Sequence, residues 1–320
     1  MSVFVSHISA LQVWSSLKEG AAALALHADP RKTPCWRTGR PLPQVKVTLR
    51  DIQSIASREI ANLAFPLHVL VPNAASRSRS ELAVCHVSSS TYPRGSFVRL
   101  AEGMLVSSPE LCFVQMATKL PPIALVRLGF ELCGTYGIPT VARADYGFER
   151  PFTTVARLGR FIEAAGDMPG TVKARKALRF IAPGSASPME TCMVMLLCLP
   201  LRLGGYNLPK PQMNREVRPK RRGRLAPGDR QCFCDLVWHE ARVALEYDSS
   251  GSSSRAPAGR RSDARRRSVL LNRGFTVVSV TSGSARNLIE LDRVAQILRT
   301  RLGVRLRSGQ PSWRARQQRL

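Results

Sequence analysis

Asp235, Glu246 and Asp248 lie in the strand-like parts of the segment CDLVWHEARVALEYDSS (234–250), in a chain with only 22 acidic side chains against 48 basic ones. Around them the residues are apolar and alternate as in two β-strands joined by a short turn. On the second strand Ala244, Glu246 and Asp248 share one face, while Val243, Leu245 and Tyr247 share the other. On the first, Phe233, Asp235 and Val237 alternate with Cys232, Cys234, Leu236 and Trp238. A two-residue turn at His239-Glu240 sets Asp235 opposite Ala244 and diagonal to Glu246. A four-residue loop sets it directly opposite Glu246, and a three-residue loop separates the two. Converging carboxylates repel, so each pKa rises unless a cation lies between them. Oxygen ligands of this kind suit Mg²⁺ or Mn²⁺, and such an ion can polarise a phosphoryl oxygen and supply hydroxide for attack on phosphorus.

The charge around this hairpin has the opposite sign. Arg215, Arg218, Lys220, Arg221, Arg222 and Arg224 precede it, and Arg255, Arg260, Arg261, Arg265, Arg266 and Arg267 follow it. The whole chain carries a formal +26, of which +16 falls from residue 186 onward. Arginines hold phosphates while carboxylates hold a metal, so DNA is the expected partner. Arg221, Arg222, Arg224, Arg260, Arg261, Arg265 and Arg266 are the expected nucleic-acid contacts. Only eight of the basic residues are lysine, a bias that a GC-rich genome also produces.

The elements that must position these groups can be read outward from the hairpin. Upstream, SASPMETCMVML (185–196) opens a helix at Ser187, with Pro188 in its first turn and Glu190 completing an S-x-x-E capping box. A strand is expected near QMNREV (212–217). Downstream, RSDARRRSVLLNRG (261–274) is a helix stopped by Gly274, FTVVSVT (275–281) a strand, and ARNLIELDRVAQILRTRLG (285–303) an amphipathic helix. The last of these groups Leu288, Leu291, Val294, Ala295, Leu298 and Leu302 on one face. The strands at 242–248 and 275–281 flank one helix and should be parallel, with a right-handed crossover.

This αβββαβ order, with Asp235, a short turn and Glu246-Tyr247-Asp248 closing a strand, resembles the PD-(D/E)XK nuclease superfamily with its restriction-endonuclease-like fold. It is most similar to the branch of the very short patch repair endonucleases, and SDARRRSVLLNRGFTVVSVT shares that branch's helix and its "RGF" entry to a strand. The resemblance spans about 185–303. It implies a Mg²⁺-dependent (or Mn²⁺-dependent) DNA endonuclease in which Asp235 and Glu246 hold the metal. Glu190, matching the acidic residue of the family's first helix, and Asp248 complete the catalytic set. Two departures stand out. The pattern commonly ends in lysine where this chain has Asp248, and the following GSSSRAPAGRR lacks the histidine that relatives tend to carry there. They imply an alternative: a catalytically inactive nuclease fold acting as a DNA-binding regulator.

The expected architecture is α/β, α+β overall, in three parts. Residues 1–182 form a mixed α/β module whose layout resembles abortive-infection antitoxin-like proteins. Residues 183–304 form the nuclease-like domain, and 305–320 a disordered basic tail in which Trp313 is available to stack on a base. Within the first part strands are expected at 66–72, 82–87, 96–101 and 103–108. Helices are expected at 107–117, 122–137, 153–166 and 171–181, and residues 1 to about 50 give no firm pattern. The eight cysteines show no CxxC or paired Cys/His spacing, so they read as buried thiols in a reducing compartment. No apolar run is long enough to span a bilayer, and a cytoplasmic protein without a membrane partner is expected.

Overall fold

A computed structural model describes residues 2–18, 39–44, 46–56, 63–136, 151–217, 232–248, 267–305 and 312–317. The chain is an α/β protein that divides into two compact units, Met1–Ile181 and Ala182–Leu320. No helix among the described residues is long and apolar enough to cross a membrane.

In the first unit, five strands form one mixed sheet: β1 (Val3–Val5), β2 (Leu67–Val71), β3 (Ala83–Val87), β4 (Phe97–Ala101) and β5 (Met104–Ser107), in the order β3-β2-β1-β5-β4. The four longer strands fall where alternation and turn residues place them. The central one, β1, is a fully buried three-residue run that pairs antiparallel with β2 and parallel with β5. Three residues are too few for a period to show, which is why the sequence left this region open. Helices α1 (His7–Lys18), α2 (Leu49–Ala56), α3 (Pro109–Met116), α4 (Pro122–Cys133), α5 (Val155–Ala164) and α6 (Thr171–Leu178) complete the unit. Every side chain of α3 is buried, and the helix starts where Ser108 Oγ accepts the Leu111 N–H at 3.2 Å. Across the core, Trp14 of α1 donates its indole N–H to the Ser107 carbonyl at 2.9 Å.

The second unit begins with α7 (Pro188–Cys198), then β6 (Gln212–Val217), β7 (Cys232–Trp238) and β8 (Val243–Asp248). A helical segment at 267–272 and β9 (Thr276–Thr281) follow. The sheet order is β6-β7-β8-β9, antiparallel except for the β8–β9 pair, which is parallel across the helix as the crossover requires. The amphipathic stretch is two helices, α8 (Ser282–Arg286) and α9 (Leu288–Leu302). They break at Asn287, whose Oδ1 accepts the Ile289 N–H at 2.9 Å. On α9, Leu291, Val294, Ala295 and Leu298 are buried, the core of the expected face.

The tail departs from expectation. Residues 312–317 form a helix, α10 (Ser312–Gln317), rather than a disordered extension. Trp313 donates its indole N–H to the Gly205 carbonyl at 3.1 Å and meets Tyr206 edge-on, with ring centroids 5.3 Å apart. Tyr206 in turn donates to Asp292 Oδ1 at 2.6 Å on α9. An arginine-rich sequence hides this, because one aromatic anchor carries the docking and has no period. Trp313→Ala should therefore cost the C-terminal unit about 2 kcal/mol, the scale of one hydrogen bond plus an aromatic contact. Calorimetric melting of the full chain checks this: the transition of the C-terminal unit falls while that of the N-terminal unit stays in place.

Candidate functional site

The β7–β8 register decides where the acids lie. Trp238 pairs with Val243, Val237 with Ala244 and Leu236 with Leu245, so four residues, His239 to Arg242, make the connection. The chain turns back through Arg242, at φ 51°, with the Arg242 N–H on the His239 carbonyl at 3.1 Å. His239 and Glu240 thus belong to the turn, and the His239 ring sits edge-on to Phe275 at 5.9 Å. Of the three turn lengths the sequence allowed, this one sets Asp235 opposite Glu246, one step beyond the last ladder pair.

At that step the backbone ladder gives way to a side chain. Asp235 Oδ2 accepts the Tyr247 N–H at 2.7 Å, reaching across to β8 beside Glu246. On the other flank Asn214 of β6 lies opposite Asp235, between the pairs Met213–Leu236 and Arg215–Cys234. Asn214 adopts a left-handed backbone, φ 46°, which asparagine tolerates better than most residues. On β9, Glu246 pairs with Ser279. A row of Asn214, Asp235, Glu246 and Ser279 therefore crosses all four strands. Asp235 and Glu246 are partly buried and Ser279 is exposed, so one end of the row meets solvent.

Glu190 joins this row from α7. Its position follows from the capping box: Ser187 Oγ accepts the Glu190 N–H at 3.1 Å, and the Ser187 hydroxyl donates to Glu190 Oε1 at 3.0 Å. Oε2 accepts the Ala186 N–H at 2.9 Å and the Asn214 amide at 2.5 Å. The same amide donates to the Gly184 carbonyl at 2.8 Å. Glu190 is only 7% exposed. Burial pushes its pKa above the ordinary carboxylate value, and the nearby Asp235 charge pushes it further. The three donated hydrogen bonds act in the other direction. Capping and membership of the acidic cluster are thus both realised.

The remaining expectations divide. Asp248 ends β8, partly buried, paired in register with Thr281. Arg221, Arg222, Arg224, Arg260, Arg261, Arg265 and Arg266 lie outside the described residues. Asn214 escaped sequence inspection. Its only signal was an asparagine inside a short strand, a residue type that strands disfavour.

Among the described residues, no group of three or more His, Cys, Asp or Glu side chains is arranged to hold a metal ion. Within the row the register sets two carboxylates, Asp235 and Glu246, opposite each other. Mg²⁺ keeps several waters and binds proteins through one or two carboxylates, so this donor set fits Mg²⁺ and not a zinc cage. Comparison with family models, with curated proteins and with solved structures returned no match.

Because the Asp235 charge is the second cause of the raised Glu190 pKa, Asp235→Asn should lower it. NMR titration of the Glu190 carboxyl carbon in the two proteins measures the change. An unaltered midpoint would show that the carboxylates do not share a field.

Proposed function

We propose that the C-terminal unit hydrolyses phosphodiester bonds in DNA with a divalent metal, Mg²⁺ or Mn²⁺, held by Asp235 and Glu246. The observation that carries this reading is the register that sets these two carboxylates opposite each other at one end of the β7–β8 hairpin. That end is also where the covalent chain enters β7 from 218–231 and leaves β8 into 249–266. Those two segments hold Arg218, Lys220, Arg221, Arg222, Arg224 and Arg230, then Arg255, Arg260, Arg261, Arg265 and Arg266. In sequence, arginine-rich segments thus flank both acidic strands, the composition a phosphodiester site needs.

The residues divide the work by their surroundings. Asp235 and Glu246, both partly buried beside the exposed Ser279, would supply the oxygen ligands. Tyr247 N–H fixes the Asp235 carboxylate, so its orientation does not have to be found on binding. Glu190 holds Asn214 and the start of its own helix in place, which makes it a positioning residue for Asp235. Asp248 marks the point where β8 passes into the arginine-rich segment. A metal in this position would polarise the phosphoryl oxygen and lower the pKa of a bound water.

A second reading is a nuclease fold that binds DNA without cutting it. It is favoured by the saturated hydrogen bonding of Glu190, which gives that residue a structural task, and by Asp248 and GSSSRAPAGRR standing where relatives of the resembling family carry lysine and histidine.

Plasmid DNA incubated with the full chain and Mg²⁺ or Mn²⁺ separates the two. Metal-dependent cleavage that falls by about a hundredfold or more in Asp235→Asn and Glu246→Gln supports hydrolysis; that is the scale of losing a metal or its positioning. Cleavage that survives both substitutions would place the activity elsewhere. Salt-sensitive DNA binding that is indifferent to chelator and to both substitutions, without cleavage, establishes the second reading.

A further inference from the structure

In the N-terminal unit, remote in sequence from the acidic row, three of the five histidines of the chain come together. His7 follows β1 and starts α1, His68 is on β2 and His86 on β3. The His7 and His86 rings stack with centroids 3.7 Å apart, and His68 Nδ1 lies 2.9 Å from His86 Nε2. His7 holds a left-handed backbone, φ 48°, which a non-glycine residue keeps only when its surroundings fix it. Its N–H donates to Gln115 Oε1 at 3.0 Å.

That bond fixes the orientation of the Gln115 amide and turns its Nε2 to the other side. Gln115 is 6% exposed, and its Nε2 is buried with no hydrogen-bond partner. An unsatisfied buried donor is costly and needs an explanation. Gln115, His7 and His86 line a cleft of about 430 Å³, a volume suited to a small molecule. Lys119 and Arg77 lie on the same lining, both exposed, and none of the residues lining the cleft is a carboxylate. Leu70 and Met168 give it an apolar side.

We propose that this cleft binds a small phosphorylated ligand, its phosphoryl oxygens facing Lys119 and Arg77 with the His7–His86 stack beside them. The charge arrangement selects this chemistry over a metal ion. A divalent cation would meet Lys119 and Arg77 with no carboxylate to offset them, whereas an anion relieves both. The imidazoles add no charge of their own. Burial first, then the neighbouring histidines and Lys119, lower the pKa of His7 to about 3. His86 is lowered to about 4 by burial, His68 and Lys119. His68 is lowered mainly by burial. Packed neutral rings beside two cations form a field that an anion would neutralise. The other titratable groups on the lining are the Cys85 thiol and the Tyr92 phenol, neither of which opposes an anion while protonated.

The test is calorimetric titration of the full chain with adenosine monophosphate and with inorganic phosphate, and with Zn²⁺ as the opposing probe. NMR of the histidine Cε1–H signals follows each titration. The expected result is one nucleotide per chain, shifts at His7 and His86, and an affinity about tenfold weaker in Lys119→Met, the loss of one charge-assisted contact. Lys119 is exposed, so its variant keeps the fold, which an unchanged melting curve verifies. Inorganic phosphate binding with the same Lys119 dependence also supports the site and assigns recognition to the phosphoryl group alone. Unmoved histidine signals at saturating nucleotide and phosphate, binding insensitive to Lys119→Met, or one-to-one Zn²⁺ binding in place of the anions would each overturn it.

Discussion

The C-terminal unit is organised around like charges that it holds side by side. Glu190 and Asp235 repel each other where burial already penalises ionisation. The fold offsets this with donors: Ser187 hydroxyl, Ala186 N–H and Asn214 amide on Glu190, and Tyr247 N–H on Asp235. The donors come from the residues that open α7, from β6 and from β8, so helix α7 and strands β6, β7 and β8 must all be in register before the acids are satisfied. Removing any one partner leaves a buried carboxylate short of a hydrogen bond, a larger loss than the bond itself contributes. The polar row therefore specifies the alignment of the sheet as much as the apolar core beneath it does.

That row explains local irregularities that hydrophobic patterning alone would count against the fold. Asn214 in a left-handed conformation interrupts the β6–β7 ladder, and the Asp235 side chain takes the place of a backbone acceptor at the end of the β7–β8 ladder. Both breaks fall in the same row. A ladder broken on both flanks of one residue frees that side chain from a purely cross-strand role and points to selection for something other than sheet stability. The N-terminal unit shows a similar departure, with His7 in a left-handed conformation and Gln115 Nε2 unsatisfied beside it.

The sequence was legible wherever an element repeated its own signal. Alternation gave β2, β4 and β5, and the Ser-Pro openings gave α3 and α7. The parallel β8–β9 pair followed from the intervening helix and the handedness of crossovers. Legibility ended where position depends on a single residue or a distant partner. β1 is three residues long and is defined by the strands on either side of it. α10 docks through one tryptophan in a run of arginines. In the candidate site, Asp235 and Glu246 stood out because a charge interrupted an apolar strand, yet turn length alone set their juxtaposition, and three lengths were compatible with the residues. Asn214 and the histidine cluster join residues far apart in the chain, and no spacing announces such a pairing.

On the proposed reading, the acids of the hairpin and the arginine-rich sequence on either side of it serve one function. Two carboxylates alone would repel a phosphodiester, and arginines alone would hold it without giving it anything to react with. Together, on that reading, they would hold an ion of positive charge between two sets of negative oxygens, the protein's and the phosphate's. The net +16 of the residues from 186 onward makes approach of a polyanion favourable over distances set by ionic strength, while the acidic row acts only at contact. Attraction and chemistry are thus separable properties of the unit. If the acids hold a metal as proposed, losing them would leave the attraction intact, which is how a domain of this charge could turn from cutting a nucleic acid to holding it without any change of fold.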